Sequence, residues 1–467
     1  MTNYDINYII SLKTDKKGTI NLMDLFNALN IINKIAVILI IISLILFSYR
    51  LLYIFFGFKK CKRFKNTNKK GKYAILVPAR DESSVIEKLL ISIKNQTYDK
   101  NFFDVYVITE NEDDPTNSIT KNYGYNYFVR KDLEDKRTKG YALDEVIKDI
   151  YSKNIKYDAF FIIDADNTIS KNYLEEMNKA YFANIDVCMS YKNVSNIDDN
   201  WISCCSSLLF CNINTFQNKA KTRLYNTMLI SGTGLYISSK ILDEFKGFPF
   251  TTLTEDYELS NYIAHNKFNV AYIDTAEVFV EQPVKLSTVN KQRIRWCRGY
   301  FDVNKKLNKD THKALHKKGS NKLGILENKL SLIPNVVAIV TMILYSLALV
   351  VVATIALITK NFDALEMSLI CLLRFFLVYH LSLSLYTVLL FIAEKDHINV
   401  NKKLILLTII LNPFFINLFI YQAVVALFSK NIGWKKIERV DEMVVPTENT
   451  ESEILDEDSV KIGVKNG

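Results

Sequence analysis

Four apolar runs divide this chain, and each is long enough to cross a bilayer, which takes about 20 apolar residues. Residues 35–58 carry one charge, Arg50; 331–358 and 404–428 carry none; 367–393 carry only Arg374. At 467 residues and 49% hydrophobic composition, the chain can fill these runs and still build a sizeable core. It is therefore read as a multi-pass protein of the cell membrane. The first run follows a polar segment, residues 1–33, that contains acidic groups, and it has no small-residue cleavage site. An uncleaved anchor over 34–58 is expected rather than a signal peptide.

A basic linker, residues 59–71, follows the first run. With Lys72 it holds Lys59, Lys60, Lys62, Arg63, Lys65, Lys69 and Lys70 and no acid, which places the next domain in the cytosol by the positive-inside rule. Much of the formal net charge of +9 is thus topological, and nucleic acid is an unnecessary partner. Seven cysteines form no C-x-x-C pair, as expected of reduced thiols. His312 and His316, flanked by lysines and lacking a third ligand nearby, read as a basic helix surface rather than a zinc site.

Between the runs the pattern alternates. Apolar stretches at 72–78, 104–109 and 125–129 read as strands with helices between them, the mark of a mostly parallel sheet covered on both faces. The first of these helices is expected to start near Ser84, with Ser84 and Glu87 as a capping box. The run Tyr157–Asn167, YDAFFIIDADN, is a buried strand that ends in Asp164 and Asp166. Carboxylates at i and i+2 where a strand frays into a loop can share a divalent cation bridging a diphosphate. Lys139 and Gly140 open a helix, so an ammonium and a helix N-terminus lie together, a perch for phosphate. Ser231-Gly232-Thr233-Gly234 is a turn of small residues before the strand Leu235–Ser238. Glu255 and Asp256 start another helix, whose dipole should depress their pKa, so that a base there would be ionised at neutral pH.

From Lys285 the chain is amphipathic and basic, with Gln292, Arg293, Arg295 and Trp296 close together. No G-x-G-x-x-G follows the first strand, which disfavours a dinucleotide site. The boundaries expected are a catalytic domain over 72–284, interface helices over 285–329, about three membrane helices over 330–429 and a disordered tail over 430–467. Arg374, His380, Asn412 and Tyr421 are the polar residues of the spans that either line a channel or tie helices together. One span before the domain and three after it put both termini outside. Lys430, Lys435, Lys436 and Arg439 argue for the inner side, and a half-span near Asn412-Pro413 or a further crossing would reconcile the two.

In order, ARDE, DAD, SGTG, TED and QRIRW between membrane runs resemble the membrane-integrated family 2 glycosyltransferases, the group of cellulose, hyaluronan and poly-N-acetylglucosamine synthases. That resemblance implies an α/β GT-A domain beside helical spans, a UDP-sugar donor, Mg²⁺ or Mn²⁺, and inversion at the anomeric carbon. By similarity, Arg80, Glu82 and Glu110 would contact uridine, Lys139 and Asp164 the nucleotide, and Asp166 the metal. Asp256, with Glu255 beside it, would be the base. Arg293 and Arg295 would hold the diphosphate, and Gln292, Trp296, Gly232 and Thr233 the acceptor. Glu110 departs from the Asp usual there. The product expected first is a β-glucan made processively from UDP-glucose and secreted through the spans. The alternatives are a UDP-N-acetylglucosamine polymer and a single transfer to a lipid.

Overall fold

The computed structural model describes residues 22–133, 136–331 and 333–429. Most of the expected N-terminal polar segment and the whole expected tail, with its Lys430, Lys435, Lys436 and Arg439, lie outside the described residues. Eight strands, all in one sheet, are found among those described: β1 Tyr73–Pro78, β2 Phe103–Thr109, β3 Asn126–Val129, β4 Ala159–Ile162, β5 Thr168–Ile169, β6 Val187–Val194, β7 Leu235–Ser238 and β8 Val270–Val280. Their order is β3-β2-β1-β4-β7-β6-β8-β5. The first four neighbours are parallel, as the alternation of strand and helix requires, and so are β6 and β8. β7 runs antiparallel to both β4 and β6.

The two-residue period of β1 divides the core. Tyr73, Ile75 and Val77 face the helices Ile86–Lys94 and Tyr173–Phe182, meeting Leu89, Ile93 and Met177. Ala74 and Leu76 face the helix Lys139–Ser152 through Leu143, Val146 and Ile147. Each fully buried Leu or Ile contributes about 1.5–3 kcal/mol of transfer free energy. The result is a rigid sheet whose loops can be held in fixed places. The first helix begins at Ile86, not Ser84. Val85 is its N-cap and gives no side-chain cap bond.

Among the described residues three helices are long and apolar enough to cross a membrane: Val340–Ile358, Phe362–Ala393 and Lys402–Phe428. Leu344, Leu347, Val351, Leu377, Leu381 and Leu406 stand exposed on them, as lipid-facing surfaces require. The first apolar run forms the helix Leu22–Phe47, a 3₁₀ turn Ser48–Arg50 and a short helix Leu51–Gly57. Arg50, at that break, donates to the Ser331 carbonyl at 3.0 Å and lies 3.6 Å from Glu327.

Lys402–Phe428 continues as helix through Pro413, so the half-span suggested at Asn412-Pro413 is not formed. A proline frees the carbonyl four residues back. Here that carbonyl, on Ile409, accepts from Ser384 Oγ at 2.9 Å, and its neighbour on Ile410 pairs with His380 Nε2 at 3.0 Å. Asn412 Nδ2 donates to Thr387 Oγ1 at 2.9 Å. His380 and Asn412 therefore tie helix to helix, while Arg374 and Tyr421 lie on exposed faces.

Candidate active site

The carboxyl ends of β1, β2 and β4 bring the first motifs to one edge of the sheet. After β4, Asp164 receives the Lys139 ammonium, which also donates to the Gly232 carbonyl at 2.7 Å and lies 3.8 Å from Glu255. Lys139 and Gly140 do open their helix, as expected. Gly140 is needed there, because a Cβ would overlap the Phe250 carbonyl and sit 2.9 Å from Thr251 Cα. Burial alone would lower the Lys139 pKa, but Asp164, Glu255 and Asp256 outweigh it and hold the ammonium above its usual range.

Thr233 is a latch rather than an acceptor contact in this arrangement. Its hydroxyl accepts from the Asp164 N–H at 3.0 Å and donates to Asn167 Oδ1 at 2.7 Å, and Asn167 Nδ2 donates to Asp166 at 2.8 Å. The turn 231–234 thereby fixes the loop that carries both aspartates. Gly232, at φ 79°, faces Asp256: a Cβ there would lie 3.5 Å from Asp256 Oδ2.

Glu255 and Asp256 start the helix Glu255–Asn266, with Thr254 as N-cap but without a side-chain cap bond. The expected fall in their pKa does not occur. Burial pushes Glu255 up to about 7 against the pull of Lys139. Asp256 is also raised by burial, although the Tyr257 N–H, Lys139, Lys192 and Arg295 all oppose that rise. Desolvation prevails because the buried carboxylate loses hydration that the neighbouring cations and N–H groups only partly replace.

One consequence is measurable. The folded Glu255 carboxyl holds its proton more tightly than the unfolded one, so stability is lost as pH rises from about 4.5 to about 7. Glu255→Gln removes that loss, and its unfolding midpoint should exceed wild type at pH 8 and match it near pH 4, a difference of at most about 3 kcal/mol. Thermal unfolding across this range checks it; parallel pH profiles would refute it.

The motif QRIRW lies on the helix Leu286–His316, and its residues part company there. Arg295 Nη1 donates to the Leu253 carbonyl at 3.4 Å, and its charge acts on Asp256. Arg293 is two residues away, which on a helix means the opposite side. Its guanidinium stacks over Phe415 at 4.5 Å, and burial lowers its pKa to about 10. It therefore joins the membrane helix Lys402–Phe428 rather than the carboxylates, contrary to its expected place at the diphosphate. Gln292 is half-buried, and Trp296 meets the Phe210 ring edge-on at 6.3 Å. Gln422 to Asn290 at 2.8 Å and Arg298 to the Ser429 carbonyl at 3.0 Å add further ties between this helix and the membrane region.

At the other end of the pocket Arg80 and Glu110 pair with each other. Glu110 lies 3.5 Å from Arg130, which itself holds Glu145 at 2.7 Å. Glu82 is buried, and its carbonyl accepts from the N–H groups of Val85 and Ile86. Two residues were missed by sequence reasoning. Arg130 and Lys192 are both about 5% exposed, and Lys192 feels Asp164, Asp256 and Asp166 at once. A lysine inside the apolar strand VCMSYKNV was the available signal, since a strand buried on both faces leaves it nowhere to point but inward.

The fold is that of a GT-A glycosyltransferase domain joined to three long apolar helices. Residues 70–299 match the protein family described as "Glycosyltransferase like family 2". Among curated relatives, the chain is 24% identical over 244 residues to "Probable glycosyltransferase YdaM" of Bacillus subtilis, covering 50% of this chain and 56% of that protein. It is 22% identical over 234 residues to the "Beta-monoglucosyldiacylglycerol synthase" of Trichormus variabilis, covering 49% and 48%. The chain thus spans about half the length of the curated relatives it matches. Among solved structures, the mannosyltransferase PcManGT of Pyrobaculum calidifontis, in complex with GDP-Man and Mn2+, superposes with a TM-score of 0.53 at 16% identity. That superposition covers 86% of this chain and 100% of that one.

Proposed function

We propose that this protein transfers one hexose from a UDP-sugar to a hydroxyl of a membrane lipid, with inversion at the anomeric carbon. The carrying observation is the cluster of Asp164, Glu255 and Asp256 with Lys139 and Arg295, set against a helix that is itself bonded to the membrane region. A nucleotide donor is supported by the family match and by the GDP-Man bound in the mannosyltransferase. A lipid acceptor is supported by the diacylglycerol-glucosylating relative and by span residues that serve helix packing, with His380 and Asn412 as ties.

In this reading Asp256 accepts the proton of the acceptor hydroxyl as that oxygen bonds to C1 of the sugar and the C1–O bond to UDP breaks. A single displacement inverts the centre and needs no second nucleophile. Lys139 and Arg295 attract the negative charge that collects on the leaving diphosphate. Asp166 with Asp164 beside it fits a divalent ion of the Mg²⁺ or Mn²⁺ kind, since such ions take one or two carboxylates and complete their shell with substrate phosphate oxygens. When bound, that ion would neutralise charge on the departing UDP.

Polymer synthesis is the second reading, favoured by Trp296, whose ring meets Phe210 and would offer an apolar face to a sugar. Detergent-solubilised protein given UDP-sugars, Mn²⁺ and diacylglycerol vesicles separates the two. Mass spectrometry should find lipid carrying a single hexose, whereas chains of many sugars would defeat the lipid reading.

A further inference from the structure

Lys192 lies on β6, two strands beyond β4 in the sheet and away from the Arg80–Glu110–Arg130 ion pairs at the ends of β1 to β3. Its ammonium donates to the Ser231 carbonyl and rests 4.6 Å from the centre of the Phe210 ring, whose edge meets Trp296. Lys139 holds the next carbonyl, that of Gly232. Two ammonium groups thus grip successive carbonyls of the turn that abuts Asp256.

The backbone of Lys192 is clamped from behind by a π-helix, Asn212–Asn218. Asn214 Nδ2 donates to the Lys192 carbonyl at 2.9 Å, and Asn214 Oδ1 accepts from its N–H at 3.5 Å. Such turns are rare and gather at functional sites. The charges acting on Lys192 are Asp164, Asp256 and Asp166, which attract it, and Lys139, which repels it. Burial lowers its pKa to about 8 against the pull of those acids. A lysine held this deeply is costly without a use for its charge.

Resting on the transferase reading above, we propose that Lys192 is a positioning residue for the acceptor side of the reaction: its ammonium fixes the Ser231–Gly232 turn and, with it, the Asp256 carboxylate against the acceptor hydroxyl. Lys192 is not a nucleotide contact in this assignment. Its loss should slow turnover without weakening UDP.

The test compares wild type, Lys192→Met, Lys192→Arg, Asp256→Asn and the double variant Lys192→Met/Asp256→Asn. Turnover, donor and acceptor KM, and UDP affinity by calorimetry with Mn²⁺ are measured for each. Lys192→Met should lower kcat about a hundredfold and leave UDP affinity within about twofold, while Lys192→Arg recovers at least about tenfold. In the Asp256→Asn background, Lys192→Met should cost less than about threefold more, because residues acting as a unit are not additive. A parallel fall in UDP affinity, losses that multiply in the double variant, or an Arg variant no better than Met overturns the assignment. Wild-type protein that consumes no UDP-sugar would defeat the transferase reading, and unfolding midpoints then decide for Lys192. Non-additive midpoints for Lys192→Met and Asp256→Asn keep the turn and carboxylate pairing, and additive ones overturn it.

Discussion

Asp256→Asn should lower turnover by about 10²–10⁴-fold, the usual worth of a general base, while UDP binds within about twofold of its wild-type affinity. The split follows from where Asp256 sits. Its Oδ2 faces Gly232 and its Oδ1 accepts the Tyr257 N–H at 2.7 Å, whereas Lys139, the cation proposed for the diphosphate, is bound to Asp164. An amide keeps the shape of the carboxylate and can still pack against the turn. It cannot take a proton. Single-turnover rates with calorimetric UDP affinity check this, and equal losses in both would remove Asp256 from the role of base.

The second large effect is expected from Lys139→Met. This ammonium bridges Asp164 and the buried Glu255, and removing it leaves two carboxylates at a site whose burial already raises Glu255. Breaking a buried pair by deleting one partner costs about 3–5 kcal/mol; with Asp164 partly exposed, about 2–4 kcal/mol is expected here. The loss should be largest at pH 8, where Glu255 is charged, and smaller near pH 5, where it takes up a proton instead. UDP affinity should fall at least about tenfold, since the variant loses a cation from the phosphate perch. Thermal unfolding at the two pH values with UDP titration measures both. A variant as stable as wild type at pH 8 would mean that Lys139 compensates nothing.

The parallel half of the sheet was legible because β1 and β4 are buried on both faces and the strands alternate with helices of the right period; Leu235–Ser238 matches to the residue. The antiparallel placement of β7 was not, since strand direction depends on which neighbour the chain returns to and not on local pattern. Asp164, Lys139, Gly232, Asp256 and Arg295 do meet, and their residue types at the ends of strands and starts of helices carried that information. Arg293 was grouped with them by motif, although helical geometry alone sets it on the far side from Arg295. The raised carboxylates escaped notice for a different reason. A dipole can be read from sequence, but burial of Asp256 and the charges of Lys192 and Arg295 that oppose it come from segments far apart in the chain. In the spans, the rule that proline frees the carbonyl four residues back marks Ile409 in advance as needing a donor, but does not say that Ser384 supplies it.

The account depends most on one pocket serving donor and base together. A structure of the protein with UDP and Mn²⁺ tests this directly. The account predicts the metal at Asp166, the diphosphate between it and Lys139 with Arg295 nearby, and Asp256 beyond the diphosphate, open toward Trp296. UDP bound on another face of the sheet, or a metal with no contact to Asp164 or Asp166, would contradict it.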